Sequence, residues 1–167
     1  MTSQFIQPEQ YQHLLDEKVS ACRSLFGDLG LPSPQVFPSS PKHYRMRAEF
    51  RVWHDNDDLF YAMFEVDTEN PKNKRVVRLD QFPVASAQIN ELMPKLREAF
   101  LASDELRRRL FQVEFLTTLS GEALVTLIYH RPLGDAWEAE ARALESALGI
   151  MIIGRSRKQR LVLTRDH

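Results

Sequence analysis

Apolar residues recur along this chain with two periods. From Pro8 the spacing is helical: Tyr11, Leu14, Leu15, Val19, Cys22 and Phe26 lie three and four apart and form one stripe. Gly27 and Gly30 end that helix. On the stripe, Cys22 reads as a small buried apolar residue. Pro32, Pro34, Pro38 and Pro41 then make an extended connector. At His43–Trp53 the period changes to two. Tyr44, Met46, Ala48, Phe50 and Val52 fall on one side of an extended chain, and Arg45, Arg47, Glu49, Arg51 and Trp53 on the other. A polar turn at 54–58 joins it to a second strand, Leu59–Val66, in a hairpin. Loop 67–74, with Lys72 and Lys74, leads to a short strand, Arg75–Leu79.

The helical period returns at 86–102, where Ile89, Leu92, Met93, Leu96 and Phe100 make a buried stripe. Pro94 lies inside it, so a kink or a junction of two helices is expected. Ser103-Asp104-Glu105 caps a further turn carrying Arg107, Arg108 and Arg109. Val113–Leu119 and Ala123–His130 read as a second hairpin about Ser120-Gly121, a register that sets Phe111 opposite His130. Asp135 opens a helix with Trp137, Ala141, Leu144 and Leu148 on one face, and Gly149 stops it. Ile150–Ile153 and Leu161–Leu163 form a last strand pair around a basic turn with Arg155, Arg157, Lys158 and Arg160. The expected fold class is α+β, with an antiparallel β-sheet built from hairpins and helices packed on one face, in a single domain over residues 1–167.

Composition narrows the function classes. With 167 residues and 43% hydrophobic content the chain can bury a core. Its net charge of −1 excludes a uniformly basic nucleic-acid binder and leaves room for a local basic patch. One cysteine allows no intrachain disulfide and no cysteine-ligated zinc or iron–sulfur site. The histidines lack metal-ligand spacing, so no metal is expected. Asp55, Asp57 and Asp58 lack the glycine and closing glutamate of a calcium loop. No run of about 18 apolar residues is present, so no membrane partner is expected and the cytoplasm is the expected location. No glycine-rich phosphate loop and no activated nucleophile stands out, so no residue is assigned a catalytic role.

The chemistry that remains lies on the 43–53 strand. Arginine forks bind phosphate oxygens bidentately, and aromatic faces stack on unpaired bases. Arg45, Arg47 and Arg51 beside Trp53 therefore suggest looped or single-stranded RNA. The plainer alternative is a solvated face on which Glu49 pairs with an arginine.

Five stretches, in order, carry a resemblance: H-Y-R-M-R-A-E-F-R-V-W-H-D at 43–55, R-L-D-Q-F-P-V-A-S at 78–86, L-F-Q-V-E-F-L-T-T-L-S at 110–120, L-I-Y-H at 127–130 and I-I-G-R-S-R-K at 152–158. They resemble the amino-terminal half of the bacterial tRNA (uracil-5-)-methyltransferases. These S-adenosylmethionine-dependent enzymes form 5-methyluridine at position 54 of the T-loop. The resemblance implies an RNA-binding half without the methyltransferase domain that holds the cofactor, the cysteine nucleophile and the general base. It implies the tRNA T-arm, and possibly that of transfer-messenger RNA, as partner. It also implies that Phe111 and His130 stack on T-loop bases and that Arg51 contacts RNA. Without the resemblance, Phe111 reads as a core phenylalanine and His130 as a strand-end turn residue.

Overall fold

A computed structural model describes residues 7–66 and 74–163. The elements are α1 (Tyr11–Phe26), β1 (Arg47–Asp55), β2 (Asp58–Val66), β3 (Lys74–Leu79), α2 (Ala87–Ala102), α3 (Asp104–Arg107), β4 (Leu110–Thr117), β5 (Ala123–Tyr129), α4 (Asp135–Leu148), β6 (Met151–Ser156) and β7 (Gln159–Val162). The loop with Lys72 lies outside the described residues. The seven strands form one sheet in the order β3-β2-β1-β4-β5-β6-β7. Every pairing is antiparallel except β5 with β6. That parallel pair needs a crossover, and α4 supplies it. The α+β class and the helix-covered sheet follow the sequence pattern; the parallel pair departs from an all-hairpin sheet.

Alternation sorts the strand residues. Ala48, Phe50 and Val52 of β1, Val113 and Phe115 of β4, and Val125, Leu127 and Tyr129 of β5 are buried beneath α2 and α4. The Ser86 side chain caps α2 by accepting the Ile89 N–H at 3.2 Å. Ser103 does the same for α3 with the Leu106 N–H. α2 runs through Pro94 as one helix. Ile89, Leu92, Met93, Leu96 and Phe100 are buried along it. At about 1.5–3 kcal/mol for each buried side chain, their packing outweighs the roughly 3 kcal/mol that an interior proline costs. Tyr61 Oη also donates to the Met93 carbonyl at 2.9 Å, anchoring that turn to β2. Gly149, at φ 63°, ends α4. Gly154 of β6 lets the Trp137 indole lie on the strand: a Cβ there would come within 2.2 Å of the ring.

Three further expectations fail. α1 forms as the spacing predicts, yet none of its residues is buried and none joins the core. Cys22 is exposed. The sheet takes its helical cover from α2 and α4, and α1 lies beside the connector, where Tyr11 Oη meets Ser39 Oγ at 3.2 Å. Second, β1 begins at Arg47, so Arg45 does not share its face. Arg45 makes an isolated parallel bridge with Ala85; its N–H donates to the Val84 carbonyl and its carbonyl accepts the Ser86 N–H. Third, the β4–β5 register runs Thr117↔Ala123 to Gln112↔Ile128, one residue from the expected pairing, and then shifts between Leu110 and Gln112.

Candidate nucleic-acid interface

The sheet face opposite α2 and α4 has no helical cover among the described residues. One row of register partners crosses it from edge to edge: Arg78, Ala62, Arg51, Gln112, Ile128, Arg155 and Arg160. Arg51 is the residue at which β1 pairs with both β2 and β4. Its backbone is therefore held from two sides on a rigid element.

The β4 irregularity decides what stands beside this row. Counting back from buried Val113, strict alternation turns Phe111 toward the core. The register shift inserts one residue between Leu110↔Tyr129 and Gln112↔Ile128. Leu110 becomes the buried residue, at 1% exposure, and Phe111 turns to the open face. A β-bulge re-aims a side chain in this way. His130, next after buried Tyr129, falls on the open face by simple alternation. Its N–H donates to the Arg109 carbonyl at 3.0 Å, which continues the pairing past the bulge.

The result is a three-layer stack. The Phe111 and His130 rings lie 3.9 Å apart between centroids, inclined by 27°. The Arg51 guanidinium carbon lies 3.9 Å from the Phe111 centroid. Two groups this close to one ring must cover opposite faces, so the order is Arg51, Phe111, His130. The cation–π contact restrains the arginine. Its Nη1 is buried without a hydrogen-bond partner. Such an orphaned donor costs about 1–3 kcal/mol unless something accepts from it. His130 is exposed, and its outer face is free of any ring contact among the described residues.

The other arginines divide. Arg47 Nη2 lies 3.2 Å from Glu49 Oε2, both well exposed, as the plainer reading of that strand expects. Arg45 is exposed and lines a groove together with Tyr11, Phe37, Tyr44 and Met63. Arg107 bonds the carbonyls of Asn56 and Asp57, and Arg108 pairs with Glu105, so both serve the fold. Arg131 does likewise, through Glu105 and the Arg108 carbonyl. Trp53 packs edge-on against Phe64 on the open face. A second groove, of about 820 Å³, opens beside His130 and is lined by Arg155, Ser156, Arg157 and Lys158. In sequence those cations form a basic turn with no visible link to His130. The parallel β5–β6 pairing, which makes the connection, leaves no local signal.

A stacked platform beside arginines on an open sheet is chemically suited to take unpaired bases. The sequence profile of the tRNA (Uracil-5-)-methyltransferase family matches residues 10–167, and the chain belongs to that family. It is 66% identical over 162 residues to a tRNA/tmRNA (uracil-C(5))-methyltransferase of Chromohalobacter salexigens, covering 97% of this chain and 43% of that protein. A namesake from an Azoarcus species is 55% identical over 159 residues, again with 43% of its length covered. The chain thus spans less than half the length of these relatives. Among solved structures, the fold resembles Pyrococcus abyssi tRNA (uracil-54, C5)-methyltransferase in complex with S-adenosyl-L-homocysteine. The TM-score is 0.53 at 16% identity, over 91% of this chain and 36% of that one. Among the described residues no helix is long and apolar enough to cross a membrane.

Proposed function

We propose that this chain is the tRNA-holding part of a cytoplasmic, S-adenosylmethionine-dependent enzyme that forms 5-methyluridine at position 54 of the T-loop, and that alone it binds RNA without methylating it. The Arg51–Phe111–His130 stack carries the reading. A target base inside a folded loop must be flipped out before its ring can be attacked, and the lost stacking must be replaced. His130 offers its outer face to a loop base, and Phe111 backs it. The Arg51 guanidinium, packed on Phe111, adds positive charge beside the platform. Arg47 and Arg45 add positive charge near the start of β1. The T-arm of transfer-messenger RNA presents the same target, in keeping with the names of the relatives.

Neither of the two grooves described above fits the cofactor. S-adenosylmethionine carries a sulfonium and an ammonium. The groove beside His130 is lined by arginine and lysine, and the groove at Arg45 has Lys18 and no carboxylate.

The test is a titration of the chain with a T-arm hairpin and with a hairpin of scrambled loop sequence. Preference for the T-arm, lost in His130→Ala, is the expected result. Equal binding of the two hairpins would make this a general RNA-binding module. Transfer of label from S-adenosylmethionine to the hairpin by the chain alone would refute the inactivity.

A further inference from the structure

We propose that the groove between His130 and the β6–β7 hairpin binds phosphates, taking the backbone of the RNA strand that runs on from the base at His130. The proposal rests on the RNA-holding reading above and adds a second contact surface to it. Four observations carry it.

First, the groove is cationic without compensation. Arg155, Arg157 and Lys158 line it, no acidic residue does, and none of the three has an ion pair among the described residues. Second, Arg155 lies directly across from Arg160 in the β6–β7 register. Like charges facing one another on a sheet destabilise it. An anion between them turns that repulsion into attraction. Third, the groove is held in shape. Gln159 Nε2 donates to the Leu133 carbonyl at 3.1 Å, and its Oε1 accepts the Leu133 N–H at 2.9 Å. Ser156 Oγ donates to the same oxygen at 3.0 Å. One side chain thus clamps the basic hairpin to the segment that follows His130. Fourth, the groove continues the row that begins at Arg51. Arg155 is three strands from Arg51, about 14 Å at normal strand spacing. That distance spans a few nucleotides of a single strand, whose stacked phosphates recur every 3.4 Å or more. A strand anchored at Arg51, with a base on His130, reaches Arg155 without turning.

The experiment measures affinity against salt for the chain and for the variant Arg155→Ala/Arg157→Ala/Lys158→Ala. Two probes are used, the T-arm hairpin and an unstructured oligouridylate. Each phosphate neutralised in single-stranded RNA contributes roughly −0.7 to the slope of log affinity against log salt. Losing three contacts should flatten the slope by about 2, removing roughly a twentyfold fall in affinity between 50 and 200 mM salt. The charge-keeping variant Arg155→Lys/Arg157→Lys should retain the slope and melt like the wild type, and the alanine variant, relieved of the repulsion between Arg155 and Arg160, should melt no lower. Neutral methylphosphonate linkages, placed one at a time, should weaken the wild type at two or three adjacent positions and leave the alanine variant indifferent there. An unchanged slope in the alanine variant overturns the groove. So does equal weakening of both proteins by every neutral linkage. If slopes fall with both probes and the T-arm has no advantage, the groove stands and the T-loop reading falls. If neither probe binds the wild type, both fall.

Discussion

The two faces of the central sheet are built from alternate residues of the same strands, and they differ in almost every physical respect. On the covered face Phe50, Val113, Phe115, Leu127 and Ile152 are nearly devoid of solvent contact, and α2 and α4 close over them. On the open face, often one residue away, stand Arg51, Gln112, Glu114, Ile128 and Arg155. The covered face is held by apolar area removed from water, which is non-directional and tolerant. The open face holds a planar stack whose value depends on orientation. Phe111 shows how narrow the division is: a one-residue bulge moves a phenylalanine from the first set to the second.

Substitutions on the covered face should cause the largest losses of stability and leave RNA affinity of the folded fraction unchanged. Phe115→Ala should cost about 3–5 kcal/mol. Gly154→Ala, which forces a methyl into the Trp137 ring, should cost about 1–3 kcal/mol. Chemical denaturation reads both. Either variant retaining its melting temperature would break the assignment of these residues to the core.

Phe111→Ala sharpens the comparison, because the same residue type sits on the other face. It should weaken T-arm binding by about 1–3 kcal/mol and lower stability by clearly less than Phe115→Ala. A stability loss equal to that of Phe115→Ala, with unchanged affinity in the folded fraction, would return Phe111 to the core.

Asp58 links the faces. Its carboxylate accepts from Arg97 of α2 on the covered side and from Arg78 of β3 on the other. Partial burial favours the neutral acid, but the hydrogen bonds from Arg97, the Leu59 N–H and Arg78 outweigh it and hold the group below the usual carboxylate range. A lowered folded-state pKa means stability that is present above the ordinary value and lost as pH falls through the folded one. Melting temperature should drop as acid is added below about pH 4, and Asp58→Asn should flatten that part of the profile. A profile identical in both proteins would show that the carboxylate does not tie the sheet to α2.

The smallest effect is expected at Arg47. Its pair with Glu49 is exposed, and such pairs contribute about 0.2–1 kcal/mol. Arg47→Ala should leave melting nearly unchanged and alter the salt slope of RNA binding by at most about 0.7, one phosphate. A larger loss would move Arg47 into the group with Arg51.

Much of this molecule was determined by sequence acting over a few residues. The two periods located the helices and strands, and serine and glycine caps at Ser86, Ser103 and Gly149 set their ends, because capping and alternation are local. The resemblance singled out Arg51, Phe111 and His130, and the structure brings the three into one stack. Four things were settled only in three dimensions. The α1 stripe found no place in the core, since periodicity says that a face is apolar and not what covers it. Arg45 left the strand because its backbone pairs with Ala85, forty residues away. The Leu110/Gln112 bulge, which decides whether Phe111 is buried, arises from matching β4 to β5, and neither strand encodes it alone. Arg155 stands in line with Arg51 because β6 lies parallel to β5. The last three depend on pairing between segments distant in the chain, and a one-residue change of register exchanges the two faces.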